Sequence, residues 1–281
     1  MSGVGEARAF RQVDVFTAEP LLGNPVAVVH DADGLSDEQM QAFARWTNLS
    51  ETTFLLTPRD PAADYRLRIF TPATELPFAG HPTLGSAHAW LEAGGVPAGE
   101  RLVQECGVGL VELRRDGGRL AFAAPALIRS GPVEDDLVEQ IVTALGITRA
   151  DVLDIAWADN GPGWVGLRMA SAEQVLALTP SYAALPVDVG VVGPHPEGAE
   201  CAVEVRAFVP HAAGITEDPV TGSLNASLAQ WLAGDVLPAS YVAAQGTVLG
   251  RRGRVHVETA EDGTIWVGGD TLSTVHGRVT L

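Results

Sequence analysis

Apolar and polar side chains alternate in short runs along the whole chain, and Gly, Pro, Asn and Asp cluster between the runs. Residues 10–16 alternate, with Val13 and Val15 on one face, and predict a strand. The turn Leu22-Gly23-Asn24-Pro25 leads into a β-branched run, 26–29, that predicts a second. Strands are also predicted over 65–70, 102–106, 109–114, 119–123, 164–169, 187–192, 202–208, 241–245, 255–259, 264–267 and 272–279. Residues 1–9 are expected to be a loose start, and 125–132 to link two halves. Ser36 with Gln39 three positions on predicts a capped helix carrying Met40, Phe43, Ala44 and Trp46. A further helix is expected over 133–145, closed by Gly146. Short turns between most strands favour antiparallel or mixed pairing.

Two helical stretches depart from amphipathic patterning: 82–92 and 224–232 are apolar or small on nearly every face, the pattern of a helix surrounded by protein. Each closes a copy of one repeated segment, RIFTPATELPFAGHPTLGSAHAWL from Arg68 and RAFVPHAAGITEDPVTGSLNASLAQWL from Arg206. Arg68, Phe70 and Pro72 match Arg206, Phe208 and Pro210; Thr74, Glu75, Pro77 and Gly80 match Thr216, Glu217, Pro219 and Gly222 beyond a four-residue insertion. Asn160-Gly161-Pro162 stands in the second half where Asn24-Pro25 stands in the first. Ordered matches on both sides of an insertion predict two halves of similar architecture, about 140 residues each.

A helix that begins on a glycine presents unpaired N–H groups and the positive end of its dipole. Gly80-His81 and Gly222-Ser223 are therefore candidate anion cradles suited to a carboxylate, each with an acid (Glu75, Asp218) shortly upstream. A single glycine of this kind more often serves only a tight turn; two equivalent turns favour the cradle.

Composition narrows the chemistry. The net charge is −17, from 18 basic and 35 acidic residues, which argues against nucleic acid and anionic membranes as partners. All 18 basic residues are arginine, so lysine Schiff bases, pyridoxal phosphate enzymes and P-loops are excluded. Cys106 and Cys201 have no metal-type spacing and read as free thiols near strands; the histidines show no ligand pair at His-x-His or His-x-x-x-His. No metal and no cofactor are expected. Without a signal peptide or a membrane-length apolar run, a cytoplasmic protein is expected. Glu51, at a strand mouth between hydroxyl residues, would by itself be an ordinary solvated carboxylate.

The pieces GNPVAVV, NLSETTFLL, RIFTPATELPFAGHPTLG, EDPVTGSLNASLA and AAQGTVLGR, in this order and over nearly the whole chain, resemble the PhzF-like phenazine-biosynthesis isomerase family. The resemblance implies an α+β diaminopimelate-epimerase-like fold with two pseudo-symmetric domains. Each would be a curled mixed or antiparallel β-sheet or barrel around a central helix, with the active site in the cleft between them. Domains are expected over 1–127 plus 272–281 and over 128–271, the last strand returning to the first domain. The resemblance assigns Glu51 as the catalytic acid/base, with His81 and Asp218 as polar partners in catalysis. It assigns Gly80, Gly222 and Ser223 to holding a substrate carboxylate, and Asn24, Ser50 and Gln245 to the site lining. Racemases of this fold lead each central helix with a cysteine; here neither turn has one, so two-thiol chemistry is not expected.

The implied activity is a cofactor-independent proton shift between carbons of a small carboxylate-bearing metabolite. An epimerase or racemase on the same fold, and a non-catalytic binding protein, are the alternatives. The resemblance also implies a homodimer.

Overall fold

The computed structural model describes residues 5–181, 185–211 and 214–281. The chain divides into two compact units, residues 1–123 with 268–281, and residues 124–267.

The first unit contains β1 (Ala7–Val15), β2 (Asn24–Val29), α1 (Asp37–Thr47), β3 (Thr52–Leu56), β4 (Tyr65–Phe70), β5 (Glu75–Leu76), α2 (Gly80–Glu92), β6 (Leu102–Cys106), β7 (Gly109–Asp116) and β8 (Arg119–Ala123). The second contains β9 (Arg129–Pro132), α3 (Asp135–Leu145), β10 (Asp154–Asp159), β11 (Val165–Arg168), α4 (Ala172–Ala177), β12 (Val189–Pro194), β13 (Val203–His211), β14 (Gly214–Asp218), α5 (Gly222–Leu232), β15 (Ser240–Gln245) and β16 (Gly253–Thr259); β17 (Ile265–Gly269) follows. The final strand, β18 (Thr271–Thr280), pairs with β1 in the first unit.

Strand pairing repeats between the units. In the first the order is β18-β1-β2-β3-β4-β6-β7-β8, with the pairs β2–β3 and β4–β6 parallel and the others antiparallel. In the second it is β9-β10-β11-β12-β13-β15-β16, with β11–β12 and β13–β15 parallel and the others antiparallel. Parallel neighbours need a crossover, and α1 and α4 supply it at equivalent places. Residues 125–132, expected as a link, end in β9, which occupies the place that β18 takes in the first unit. The start is also tighter than expected: Ala7 already belongs to β1, while residues 1–4 lie outside the described residues.

Helices α2 and α5 are buried along nearly their whole length, nine residues of α2 and eight of α5 being inaccessible. Helix α2 touches β1, β2, β3, β4, β6, β8 and β18, so the first sheet curls around it. Close approach is made possible by glycine. A Cβ on Gly85 would stand 2.3 Å from Val26 Cγ1 and 3.0 Å from Val15 Cγ2, and one on Gly190 of β12 would stand 2.1 Å from Leu224 Cδ1 of α5. Outside each sheet a second layer packs. Met40, Phe43 and Ala44 of α1 meet Val29, Phe54, Leu56 and Phe70, while Val138, Ile141 and Val142 of α3 meet Val165, Val189 and Phe208. The Ser36–Gln39 capping box forms as expected, and Asn48 closes α1 in the left-handed conformation.

The repeated arginines form the same structure twice. Arg68 reaches both oxygens of Glu75 at 2.7 and 2.6 Å, and Arg206 both oxygens of Glu217 at 2.9 and 2.7 Å. Each guanidinium lies over the phenylalanine two residues on, Phe70 at 5.1 Å and Phe208 at 5.0 Å. Residues 212–213 of the second repeat lie outside the described residues.

Candidate active site

In the first unit Glu51 immediately precedes β3, between the cap of α1 and the parallel β2–β3 pair that sets Thr52 against Ala27. Its Oε2 lies 3.3 Å from Nδ1 of His81, the second residue of α2. Both side chains are well covered, 15% exposed for Glu51 and 5% for His81. Burial pushes the His81 ring down to about 3, against the opposing pull of the Pro25 backbone, so the imidazole is neutral at neutral pH. A neutral ring does not compete with the glutamate for its proton.

Ala79, the residue that caps α2, makes no side-chain hydrogen bond to the helix, and Pro82 has no N–H to offer. The donors of this helix start are therefore those of Gly80 and His81. Asn24 is buried in the adjacent turn, where Asp14 Oδ1 accepts the Gly23 N–H at 3.1 Å. Ser50 is exposed.

In the second unit α5 begins in the same way, since Thr221 also makes no side-chain cap. Instead Thr221 donates its hydroxyl to Asp218 Oδ2 at 2.5 Å. Ser223 Oγ accepts from Trp164 Nε1 at 3.1 Å, which leaves the serine hydroxyl able to donate elsewhere. Asn160 donates to the Ser223 carbonyl at 3.0 Å, tying the turn after β10 to the helix start. Gln245 is buried and fully committed inside the protein. Its Oε1 accepts from Thr221 N and Asn225 Nδ2, and its Nε2 donates to Asp218 O and Thr221 Oγ1. It braces the turn that carries Asp218, which is a supporting place and not a lining one.

Three residues were not legible from their local sequence: Asp159, Trp164 and Asp188. Asp159, at the end of β10, accepts the N–H groups of Gly161 and Gly163, both at 2.7 Å. Asp188 immediately precedes β12. Burial, with Asp159 and Asp218 adding like charge, raises its carboxyl to about 7. The signal that finds it is the repeat register, since Thr52 pairs with Phe70 and Val189 pairs with the matching Phe208. Position 188 in the second half is thus position 51 in the first. The same counting makes Asp159 the counterpart of Asp14, through Gln12 opposite Ala27 and Trp157 opposite Val165.

Among the described residues no three His, Cys, Asp or Glu side chains converge as metal ligands, and no helix is long and apolar enough to cross a membrane. Cys106 is half-buried and Cys201 buried; both are free thiols, and burial pushes each thiol up, away from reactivity.

Two like units, each a curled mixed sheet around a buried helix and each with acids beside that helix's start, place the chain in the class of doubled α+β proteins. The chain matches the family described as phenazine biosynthesis-like protein, PhzC-PhzF, over residues 13–277, and it belongs to that family. It is 36% identical to trans-2,3-dihydro-3-hydroxyanthranilate isomerase of Pseudomonas aeruginosa, over 96% of this chain and 98% of that one. It is also 36% identical, over 96% and 98% of the two chains, to Antisense-enhancing sequence 1 of Schizosaccharomyces pombe. Among solved structures, the PhzF-family protein of Enterococcus faecalis superposes with a TM-score of 0.81 at 26% identity, covering 98% of this chain and all of the other.

Proposed function

We propose that this PhzF-family isomerase moves a proton between carbons of a small carboxylate-bearing metabolite without a cofactor. The observation that carries the reading is the Glu51–His81 pair at the start of α2. Ionised Glu51 takes a proton from a carbon of the substrate, and the electron pair of that C–H bond shifts into the adjacent π system. The same carboxyl group then gives the proton to another carbon, so the double bond has moved and no atom is gained or lost. Neutral His81 lies 3.3 Å from the carboxylate and limits where it can point. Each helix start, Gly80-His81 and Gly222-Ser223, offers N–H groups able to hold a carboxylate and to stabilise charge that develops next to it. Asp218, positioned by Thr221, takes a substrate amine or hydroxyl.

The relative's substrate, trans-2,3-dihydro-3-hydroxyanthranilate, is the compound of choice for a first assay. Turnover in deuterium oxide should place deuterium on carbon. Glu51→Gln keeps the shape but cannot carry a proton, so turnover should fall about 10²–10⁴-fold with binding nearly unchanged. Turnover within a few-fold of wild type would remove Glu51 from the mechanism. The same spectra separate the alternatives, because an epimerase inverts one carbon with the double bond in place and a passive binder incorporates no deuterium. A homodimer, expected from the resemblance, and a cytoplasmic location belong to this reading and are tested by sedimentation and fractionation.

A further inference from the structure

We propose that Trp164 is a positioning residue of the second unit: by giving its indole N–H to Ser223 it makes that hydroxyl a dedicated donor, and the start of α5 thereby selects a carboxylate. Trp164 is 2% exposed, and its Nε1 lies 3.1 Å from Ser223 Oγ. A buried indole N–H needs an acceptor and can only donate. Ser223 Oγ therefore takes the accepting part, and its single proton goes to no acceptor among the described residues. The other hydroxyl at this helix start is already committed. Thr221 Oγ1 donates to Asp218 Oδ2 at 2.5 Å and accepts from Gln245 Nε2 at 3.0 Å. What the start of α5 offers a ligand is thus the Ser223 proton together with the N–H groups of Gly222 and Ser223, all of them donors. A carboxylate accepts several such bonds, whereas an ammonium group accepts none.

The fold holds the indole to this place. Trp164 directly precedes β11, and its carbonyl accepts the Ala158 N–H at 3.0 Å across the β10–β11 hairpin. Asp159 fixes the turn between them by accepting the N–H groups of Gly161 and Gly163, both at 2.7 Å. From the same turn Asn160 donates to the Ser223 carbonyl at 3.0 Å, so Ser223 is gripped by backbone and by side chain. The strand register gives Trp164 a counterpart in the first unit. Trp164 precedes Val165, the partner of Val189, as Val26 precedes Ala27, the partner of Thr52. Val26 is short and abuts Gly85 in the middle of α2, whereas the longer indole reaches the second residue of α5. The second residue of α2 is His81, which faces Glu51 at 3.3 Å. The same helix position thus meets an acid in the first unit and a pure donor in the second, which suits the first to moving a proton and the second to holding an anion.

The role of Trp164 rests on the carboxylate-cradle reading above, and the test separates the two. Anthranilate serves as an unreactive aromatic carboxylate, its binding to the whole protein measured by calorimetry. Trp164→Phe keeps a ring in the core but has no N–H, so it should bind anthranilate about three- to tenfold more weakly, the scale of one hydrogen bond. Ser223→Ala should weaken binding at least as much. In the Ser223→Ala background Trp164→Phe has nothing further to remove, so the double variant should bind within about twofold of Ser223→Ala. Losses that add, or Trp164→Phe binding like wild type, overturn the inference alone, because packing by the ring would act with or without the hydroxyl. Near-UV circular dichroism confirms that each variant is folded. NMR of the indole N–H groups gives a second reading that leaves Trp164 in place. The resonance displaced by Ser223→Ala should shift in wild type when anthranilate binds, since hydrogen bonds in a chain polarise one another, and should not shift in Ser223→Ala. A resonance unmoved by saturating anthranilate in wild type also overturns the inference alone. Undiminished binding to Gly222→Leu, or no binding to wild type, overturns the cradle and the inference with it.

Discussion

The paired arginines offer one interaction in two settings, and their energies should differ in proportion to burial. Arg206 is 3% exposed and its partner Glu217 12%. Beyond the two bonds to Glu217, it donates to the carbonyls of Val175 at 3.2 Å and Leu178 at 2.7 Å, which ties the end of α4 to the β13–β14 hairpin. Replacing it with methionine keeps most of the apolar stem but strands a carboxylate and the Leu178 carbonyl, while the Val175 carbonyl keeps the Leu178 N–H. A broken buried pair of this kind costs about 3–5 kcal/mol. Arg68 is 19% exposed and its partners Glu75 and Asp37 are 41% and 75% exposed, so water replaces the guanidinium when it is removed. Exposed pairs are worth about 0.2–1 kcal/mol each, and Arg68→Met should cost roughly 1–2 kcal/mol. Urea unfolding followed by tryptophan fluorescence measures both. Trp157, Trp164, Trp231 and Trp266 all belong to the second unit, so the signal reports mainly on the unit that Arg206 supports. The double variant Arg206→Met with Glu217→Gln should recover part of the loss, because the stranded charge is gone. Equal losses at the two arginines, or no recovery in the double variant, would refute the argument from burial. Glu217 adjoins Asp218, so Arg206→Met should also weaken substrate binding, whereas Arg68→Met should not.

Two further expectations concern the first unit. The folded-state pKa of His81, about 3, lies below the ordinary 6.5, so the unfolded chain binds a proton that the folded chain refuses. Stability attributed to the neutral ring is complete above pH 6.5 and is lost as pH falls toward 3, by about 2–3 kcal/mol at pH 4.5. His81→Asn should flatten this slope in urea titrations at the two pH values, and an unchanged slope would show that the ring is not the group responsible. Gly85→Ala should destabilise by about 1–2 kcal/mol, since overpacking against Val26 outweighs the gain in helix propensity. Val26→Ala in the same chain should restore most of the melting temperature; if it does not, the contact is not the cause.

The sequence by itself determined most helices, most strands and the doubling. Apolar residues on every face of α2 and α5 can be satisfied only by burial on all sides, and the ordered repeat from Arg68 and Arg206 shows that this solution is used twice. Glu51, His81 and Asp218 could be singled out as candidates because they sit inside contiguous motifs. Strand β9 and helix α4 were not, because Arg129–Pro132 and Ala172–Ala177 are too short to carry a period and become regular only through tertiary partners. Gln245 could be found but not interpreted, because whether a buried amide faces a ligand or the backbone depends on the hydrogen bonds around it. Asp188 lay beyond reach altogether. The hairpin joining its strand to the repeated phenylalanine is one residue longer than in the first half, 19 positions against 18, so simple alignment slips past it. Only strand pairing counts residues across a sheet instead of along the chain, and burial with like charge from Asp159 and Asp218 then raises its carboxyl. The three acids lie 29 and 30 residues apart in sequence, so only the fold lets their charges act on one another.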